Sequence, residues 1–186
     1  MKLDDYLKDT MGGHKERFWN NVILDEAFGK NAIMSTNDVP TVSLYDKRKD
    51  RVYMNMATAL SDLSYAKRSK VGCVIVSDDG QIVSQGYNGT PAGFDNVCEL
   101  EDEHTHALVT KPEVLHAESN AISKCAKWGG STDHATLYVT MSPCYECAKL
   151  IIQAGIKRVV YKEQYRDDTG IRLLEKAGIV VSKIKD

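Results

Sequence analysis

The sequence predicts an α/β domain in which a mixed β-sheet has helices on its faces. Two apolar runs flank the turn Asp78-Asp79-Gly80, which is typical of an antiparallel hairpin. Between residues 116 and 184 helical and β patterns alternate, which is typical of parallel strands joined by helices. With 42% hydrophobic and 27% charged residues, the chain of 186 residues also has the composition of a soluble globular protein.

Each element follows from its own pattern. Apolar residues at helical spacing predict a helix over 51–69, the hairpin occupies 71–88, and a long polar loop covers about 89–113. The chain then alternates through a helix at 116–127, a strand at 136–141, a helix at 143–154, a strand at 158–161, a helix at 170–176 and a strand at 179–184. We therefore expect roughly five strands, antiparallel in the hairpin and parallel in the second half.

Residues 1–48 differ from the rest of the chain, and we assign them to an N-terminal extension of a domain at 49–186. Gly12-Gly13 and the segment 35–40 have loop composition, whereas 17–28 has the apolar spacing of a short helix. Two interpretations of the extension are open. It packs on the domain or on a neighbouring subunit, or part of it is disordered.

Charge and apolar content exclude several classes of protein. The net charge of −2 provides no general surface for nucleic acid, and no apolar run approaches the length of a membrane span. No apolar run follows the first residues, so we expect no secretory signal and a cytoplasmic location. In a reducing compartment the five cysteines are not expected to form a disulfide framework, so a cysteine pair at metal-binding spacing becomes informative.

Two short motifs have the residue types of a metal site. His116 and Glu118 begin one predicted helix, and Cys144 and Cys147 lie in the first turn of another, after a proline. That spacing turns both sulfurs to one side, where the helix N-terminus favours thiolates. Zinc with three protein ligands keeps a position for water and lowers the pKa of that water to about 7. We predict that His116, Cys144 and Cys147 bind zinc and that Glu118 is the catalytic proton carrier.

Each motif taken by itself also fits an ordinary role. A histidine at a helix start is usually a cap or a surface residue, and a lone C-x-x-C fits a redox pair or half of a structural zinc ribbon. The chain has no second C-x-x-C for a ribbon, and a redox pair would leave the histidine and glutamate without a role. The two motifs together therefore favour a catalytic zinc.

Four longer segments carry a family resemblance: "SYAKRSKVGCVIV" (64–76), "GYNGTPAG" (86–93), "HAESNAI" (116–122) and "YVTMSPCYECAKLIIQAGIKRVVY" (138–161). With them the chain from about residue 50 to 184 resembles the deoxycytidylate (dCMP) deaminases of the zinc-dependent cytidine/deoxycytidylate deaminase superfamily. The resemblance implies a cytidine-deaminase-like three-layer α/β/α fold with one catalytic Zn²⁺. It also implies hydrolysis of dCMP to dUMP and ammonia, which supplies dUMP for dTTP synthesis.

The resemblance assigns roles to residues around the zinc site. Asn88 and the backbone of Ala117 would bind the nucleotide, the latter at the pyrimidine edge. Ser64, Arg68 and Tyr165 would bind the 5′-phosphate. Two of the three also fit roles without a ligand, because Arg68 lies in a basic cluster of the kind that is often solvated and Tyr165 suits ordinary packing.

The resemblance further implies a homo-oligomer, with a hexamer favoured, that nucleotides regulate. The activator would be dCTP, with Mg²⁺ as its counter-ion, and the inhibitor dTTP. Both would bind near Tyr87, Asn88 and Gly89.

Some relatives hold a second, structural zinc, and this chain departs from their pattern. One of the zinc-binding cysteines would fall at Ala66. Cys98, His104 and His106 remain in the long loop. With one ligand replaced by alanine, we expect the catalytic ion alone.

Two alternative functions stay open on the sequence alone. The first is another enzyme of the superfamily, a tRNA adenosine deaminase or a free-base or nucleoside deaminase, although the mildly acidic charge argues against a tRNA substrate. The second is a zinc-binding protein without catalysis, although such relatives commonly lose the carboxylate that Glu118 retains here.

Overall fold

The computed structural model of the protein describes residues 47–184. In chain order these residues form α1 (Lys47–Ser61), β1 (Gly72–Val76), β2 (Ile82–Tyr87), β3 (Glu99–Glu101), β4 (Leu108–Thr110), α2 (Ala117–Lys127), β5 (Thr136–Met141), α3 (Tyr145–Gln153), β6 (Arg158–Glu163), α4 (Thr169–Lys176) and β7 (Val180–Lys183). The predicted extension, with its helix at 17–28, lies outside the described residues except for its last two. None of the helices within 47–184 has the length and hydropathy needed to cross a lipid bilayer.

Five of these strands form one mixed sheet in the order β2-β1-β5-β6-β7. Strand β1 is antiparallel to both β2 and β5, whereas β5, β6 and β7 run parallel to one another. Across the centre of the sheet, Val139 pairs with Cys73 on one side and with Tyr161 on the other. The expected hairpin, the parallel second half and the five-stranded mixed sheet are confirmed.

The sheet separates two hydrophobic cores because successive side chains of a strand point to opposite faces. The larger core lies between the sheet and helices α2, α3 and α4, and its fully buried members include Ile75, Ala121, Leu137, Val139, Ile151, Val159 and Leu174. The smaller core lies between the opposite face and α1, and contains Met54, Ala57, Val74, Val76, Tyr138 and Val160. The chain therefore has the expected three-layer α/β/α architecture.

A buried ion pair joins α1 to the sheet at the smaller core. Nη1 and Nη2 of Arg158 donate hydrogen bonds of 2.7 Å to the two carboxylate oxygens of Asp50, and the Tyr138 hydroxyl donates another at 2.9 Å. Burial alone would raise the pKa of Asp50, but these hydrogen bonds and the Arg158 charge hold that pKa below its usual value. The Asp50 carboxylate is therefore charged in the interior at neutral pH.

We expect Asp50→Ala to lower the free energy of unfolding by about 3–5 kcal/mol at pH 7, because it removes the carboxylate from a buried guanidinium. The folded pKa of Asp50 lies below the usual 3.8, so its stabilisation is present above that value. The stabilisation is lost as the pH falls through the folded pKa. Urea denaturation of wild type and variant at pH 7 and pH 3 measures both effects.

The matched control for this ion pair is Arg172→Ala. Arg172 forms an i,i+4 pair with Asp168 at 2.8 Å, in which both side chains are about half exposed. We expect a loss of less than about 0.5 kcal/mol there. If both variants lost the same free energy of unfolding, the larger contribution expected for the buried pair would be wrong.

Two elements differ from the sequence prediction. The first helix ends at Ser61 instead of residue 69, and 62–69 form an irregular loop. The Ser64 hydroxyl in that loop donates to the carbonyl oxygen of Asn88 at 2.8 Å, so a tertiary contact replaces helical hydrogen bonding. The expected polar loop at 89–113 contains the short antiparallel pair β3 and β4, in which Glu99 lies opposite Thr110.

Candidate metal centre

The ligand atoms of His116, Cys144 and Cys147 lie close together. Nδ1 of His116 is 3.4 Å from Sγ of Cys144 and 3.4 Å from Sγ of Cys147, and all three atoms lie within 4.8 Å of one another. Tetrahedral zinc, with bonds of about 2.3 Å to sulfur and about 2.0 Å to nitrogen, requires ligand separations of about 3.5–3.8 Å. The donor set therefore fits zinc. Within residues 47–184, no other three histidine, cysteine or acidic side chains come together in this way.

Two helix starts bring these ligands together. His116 is the N-cap residue of α2, Cys144 is the N-cap residue of α3, and Cys147 lies in the first turn of α3. Cys144 thus precedes the helix, where the sequence prediction had placed it in the first turn. The His116 side chain makes no capping hydrogen bond to α2, so its imidazole remains for a metal.

Two glycines allow the helix starts to approach their neighbours. A Cβ atom at Gly86 on β2 would lie 2.3 Å from the carbonyl oxygen of Ala117. A Cβ atom at Gly170 on α4 would lie 2.0 Å from the carbonyl oxygen of Pro143. Any larger residue at either position must shift the backbone beside a metal ligand, so glycine is required by close approach.

Hydrogen bonds within the cluster favour a thiolate at Cys144. The bond from the Cys147 thiol is the main cause of a pKa of Cys144 far below its usual value, and the same bond raises the pKa of Cys147. The Cys144 sulfur also raises the pKa of His116 through their hydrogen bond. The residues thus hold a negatively charged sulfur beside an imidazole, which suits a divalent cation.

Glu118 lies beside the cluster without belonging to it. Its side chain is 4% exposed, and burial raises the pKa of its carboxyl group to about 7. With His116 and Cys144 it lines a cavity of about 350 Å³. The other polar residues of the cavity wall are Arg68, Ser69, Asn88, Glu99, Thr110, Ser142, Gln164, Tyr165 and Arg166. Glu118 can therefore exchange protons with a ligand held in this cavity.

The predicted substrate residues divide between the cavity wall and its support. Arg68, Asn88, Ala117 and Tyr165 line the cavity, whereas Ser64 does not. Ser64 is buried, and its hydroxyl bonds to the backbone of Asn88. The structure therefore places Ser64 behind the wall, as a support for the loop that carries Asn88.

The side-chain amide of Asn88 bridges two neighbouring backbone groups. Its Nδ2 donates to the carbonyl oxygen of Ser69 at 2.8 Å, and its Oδ1 accepts from the N–H of Val71 at 2.8 Å. An amide nitrogen carries two N–H groups, so one donor remains for a ligand. Asn88 is thus oriented by the protein before any ligand binds.

The predicted effector residues lie at the end of β2 and on the loop that follows it. Gly89 exchanges backbone hydrogen bonds of 3.1 and 2.9 Å with Leu115, the residue before His116. The carbonyl oxygen of Tyr87 accepts a 2.8 Å bond from the Asn120 side chain on α2. This loop is therefore directly connected to the helix that begins at the metal site.

The residues considered for a second metal lie around the β3–β4 hairpin. The His106 ring bonds to Glu101 at 2.7 Å, and His104 is exposed. The Cys98 sulfur is buried, at 3.9 Å from the carbonyl oxygen of Asn96.

Sequence reasoning missed several residues of the cavity wall. Arg166 follows Tyr165 directly, and its guanidinium lies 5.2 Å from the centre of the Tyr165 ring. Its charge and its place beside a predicted phosphate residue were the signals available in the sequence. Glu99 and Thr110 gave no such signal, because only the pairing of β3 with β4 brings them to the cavity.

Known proteins share both the fold and the metal-binding segments of this chain. The family model of the cytidine and deoxycytidylate deaminase zinc-binding region matches residues 47–163. The deoxycytidylate deaminase of Homo sapiens is 41% identical over an alignment of 140 positions, and the match covers 70% of this chain and 76% of the human protein. The deoxycytidylate deaminase of Enterobacteria phage T4 is 37% identical over an alignment of 153 positions, and the match covers 63% of this chain and 79% of the phage protein.

A solved structure of a dCMP deaminase is also similar to this chain. The dCMP deaminase of cyanophage S-TIM5, in complex with dCMP and dUMP, is 45% identical and superposes with a TM-score of 0.69. The match covers 74% of this chain and 98% of the phage chain. The family match includes every ligand of the candidate metal centre and the adjacent Glu118. The chain therefore belongs to the cytidine and deoxycytidylate deaminase family, whose members bind zinc.

Proposed function

We propose that this enzyme hydrolyses dCMP to dUMP and ammonia. The observation that carries the proposal is one cavity lined by two of the three proposed zinc ligands, His116 and Cys144, and by Glu118. The same cavity is lined by two cationic side chains, Arg68 and Arg166. Deamination of cytosine needs the zinc ligands and the carboxyl group of Glu118, and binding of a 5′-phosphate needs cationic side chains. Relatives named deoxycytidylate deaminase, and a homologous enzyme solved with dCMP and dUMP, support this substrate.

The chemical step assigns one proton carrier to this chain. His116, Cys144 and Cys147 would hold zinc, which when bound supplies a Lewis acid that lowers the pKa of water to about 7. Glu118 accepts a proton from the attacking water and delivers it to N3 of the base. It then transfers the second proton to the amino group at C4. The C4–N bond breaks, ammonia leaves, and a C4 carbonyl oxygen derived from water remains.

Substrate binding follows from the cavity wall. Asn88 offers its remaining N–H to the nucleotide, and the backbone of Ala117 meets the pyrimidine edge. Arg68, Tyr165 and Arg166 surround the position proposed for the 5′-phosphate. A volume of about 350 Å³ lies in the usual range for a small-molecule site, which suits a free mononucleotide.

The direct test is ammonia release from dCMP, deoxycytidine and CMP by the zinc-loaded enzyme. We expect dCMP to have the highest kcat/KM, because the phosphate contacts are lost with deoxycytidine. Turnover of deoxycytidine with none of dCMP would leave the metal chemistry in place and remove the phosphate assignment. Activity on a tRNA anticodon stem with none on dCMP would establish the tRNA alternative.

We expect Arg68→Ala to raise KM for dCMP about 10- to 100-fold, because a charge-assisted contact to phosphate is lost. The effect on deoxycytidine should be much smaller. Lys67→Ala is the matched control, since Lys67 is exposed and is not part of the cavity wall. Equal effects of the two substitutions on dCMP would support the alternative that Arg68 belongs to a solvated basic cluster.

We also propose that the enzyme is a homo-oligomer, with a hexamer favoured, that dCTP with Mg²⁺ activates and dTTP inhibits. The support is the backbone link from Gly89 to Leu115, through which a ligand near Tyr87, Asn88 and Gly89 would act on the start of α2. Sedimentation of the enzyme with each nucleotide, beside its rate on dCMP, tests both parts. A monomer insensitive to both nucleotides would contradict them.

We also propose a cytoplasmic location for the enzyme. All five cysteines are free thiols, which suits a reducing compartment.

A further inference from the structure

The β3–β4 hairpin contributes a buried carboxylate to the cavity wall. Glu99 is 7% exposed, and its Oε1 accepts hydrogen bonds from the backbone N–H groups of Lys67, at 2.9 Å, and Arg68, at 3.1 Å. A buried carboxylate is costly unless such donors satisfy it. These bonds fix the backbone of the irregular loop after α1 at the residue that carries the Arg68 side chain.

The partner of Glu99 across the hairpin contacts the same arginine at its other end. Thr110 lies opposite Glu99, and its Oγ1 accepts a 3.0 Å hydrogen bond from Nη1 of Arg68. Arg68 is therefore held at both its backbone and its guanidinium by one cross-strand pair. A long flexible side chain that is oriented in advance loses less entropy when it binds a ligand.

The hairpin orients the guanidinium without neutralising it. Thr110 is an uncharged partner, and among residues 47–184 no carboxylate lies within 4.0 Å of the Arg68 side-chain nitrogens. The guanidinium of Arg68 therefore keeps its positive charge, and its remaining N–H groups can bind an anion. An acidic partner in the place of Thr110 would compete with a phosphate.

We propose that Glu99 and Thr110 are positioning residues that set the specificity of this site for a 5′-phosphorylated nucleotide through Arg68. This inference rests on the proposed dCMP deamination. Neither residue carries out the chemical step, so their effects should appear in KM for dCMP and far less in kcat.

A double-mutant cycle tests the Thr110 contact. We expect Thr110→Val to raise KM for dCMP about three- to tenfold with little change in kcat, since valine keeps the shape and removes the hydroxyl. Thr110→Ser, which keeps the hydroxyl, is the matched control and should stay near the wild-type value. In an Arg68→Ala background, Thr110→Val should have no further effect, because the two residues act as one unit.

Two substitutions separate position from charge at Glu99. Glu99→Gln retains an oxygen acceptor for the two backbone N–H groups, so KM for dCMP should stay within about twofold of the wild-type value. Glu99→Ala removes the acceptor and should raise that KM about tenfold or more, as a misplaced binding group does. An equal rise in both variants would mean that the negative charge matters and would overturn the positioning role.

The remaining outcomes separate this inference from the function on which it rests. If wild type prefers dCMP to deoxycytidine but Thr110→Val and Arg68→Ala have additive effects on KM, the positioning role is wrong and the proposed function stands. Additive effects would indicate that Thr110 contacts the ligand directly. If wild type shows no preference for the phosphorylated substrate, both the phosphate assignment and the positioning role are overturned.

Discussion

Glu118→Gln should lower kcat for dCMP by about 10⁴-fold while the enzyme keeps its zinc. A positioned acid–base group contributes up to about 10⁴-fold in rate, and here one carboxyl group handles the protons of both water and amine. Glutamine has nearly the same shape and carries no transferable proton at neutral pH. The other buried carboxyl group of the cavity wall, Glu99, already accepts two hydrogen bonds from backbone N–H groups.

Two measurements decide the role of Glu118: zinc content by elemental analysis, and the rate of ammonia release. Glu175→Gln is the matched control, because Glu175 is exposed on α4 and does not line the cavity. We expect it to behave as wild type. Undiminished deamination by Glu118→Gln would refute the assigned role, whereas loss of zinc with loss of activity would make Glu118 a structural part of the metal site.

Cys144→Ala should remove both zinc binding and the stabilisation that zinc provides. The candidate site offers three ligands, and loss of one leaves a histidine and a single thiol. A ligand that binds only the folded state at about 1,000 times its Kd stabilises that state by about 4 kcal/mol. Wild type should therefore melt at a lower temperature when zinc is chelated, and Cys144→Ala should melt at the same temperature with and without the chelator.

Cys125→Ala is the control for this experiment. Cys125 is buried on α2 and is not part of the ligand cluster, so its replacement should lower the melting temperature slightly and retain the response to chelation. Zinc-dependent melting in Cys144→Ala that equals wild type would exclude Cys144 as a ligand. The same pair of variants also distinguishes a zinc site from a redox pair, which chelation would not affect.

The strongly patterned elements could be predicted from the sequence with accurate bounds. Strand β5 begins at Thr136 and ends at Met141, as its apolar run indicates, and the turn at 78–80 joins the two hairpin strands as expected. In both cases the signal is local, because the strand period and the turn residues are contained in neighbouring positions. The zinc ligands follow the same rule, since each motif is complete within four residues and begins a helix.

The sequence prediction is wrong where contacts with distant residues, and not the local pattern, decide the secondary structure. The segment 62–69 continues the helical spacing of α1, yet tertiary hydrogen bonds to Asn88 and Glu99 hold it as a loop. Strands β3 and β4 have three residues each, which is too short for a recognisable period, and Leu100 on one and Val109 on the other remain exposed.

The sequence by itself determined the α/β alternation and the antiparallel hairpin, and it identified the candidate zinc ligands and Glu118. Each of these features is specified by the order and spacing of nearby residues. Only the tertiary structure decided which groups meet. Asp50 and Arg158 are 108 positions apart and form one buried ion pair, and Arg68 reaches Thr110 across 42 positions. Such contacts depend on the sheet order and on helix packing, which bring distant segments together through the burial of apolar surface. The chemistry of the site was therefore encoded locally, whereas the positions of its substrate-binding groups depend on the whole domain.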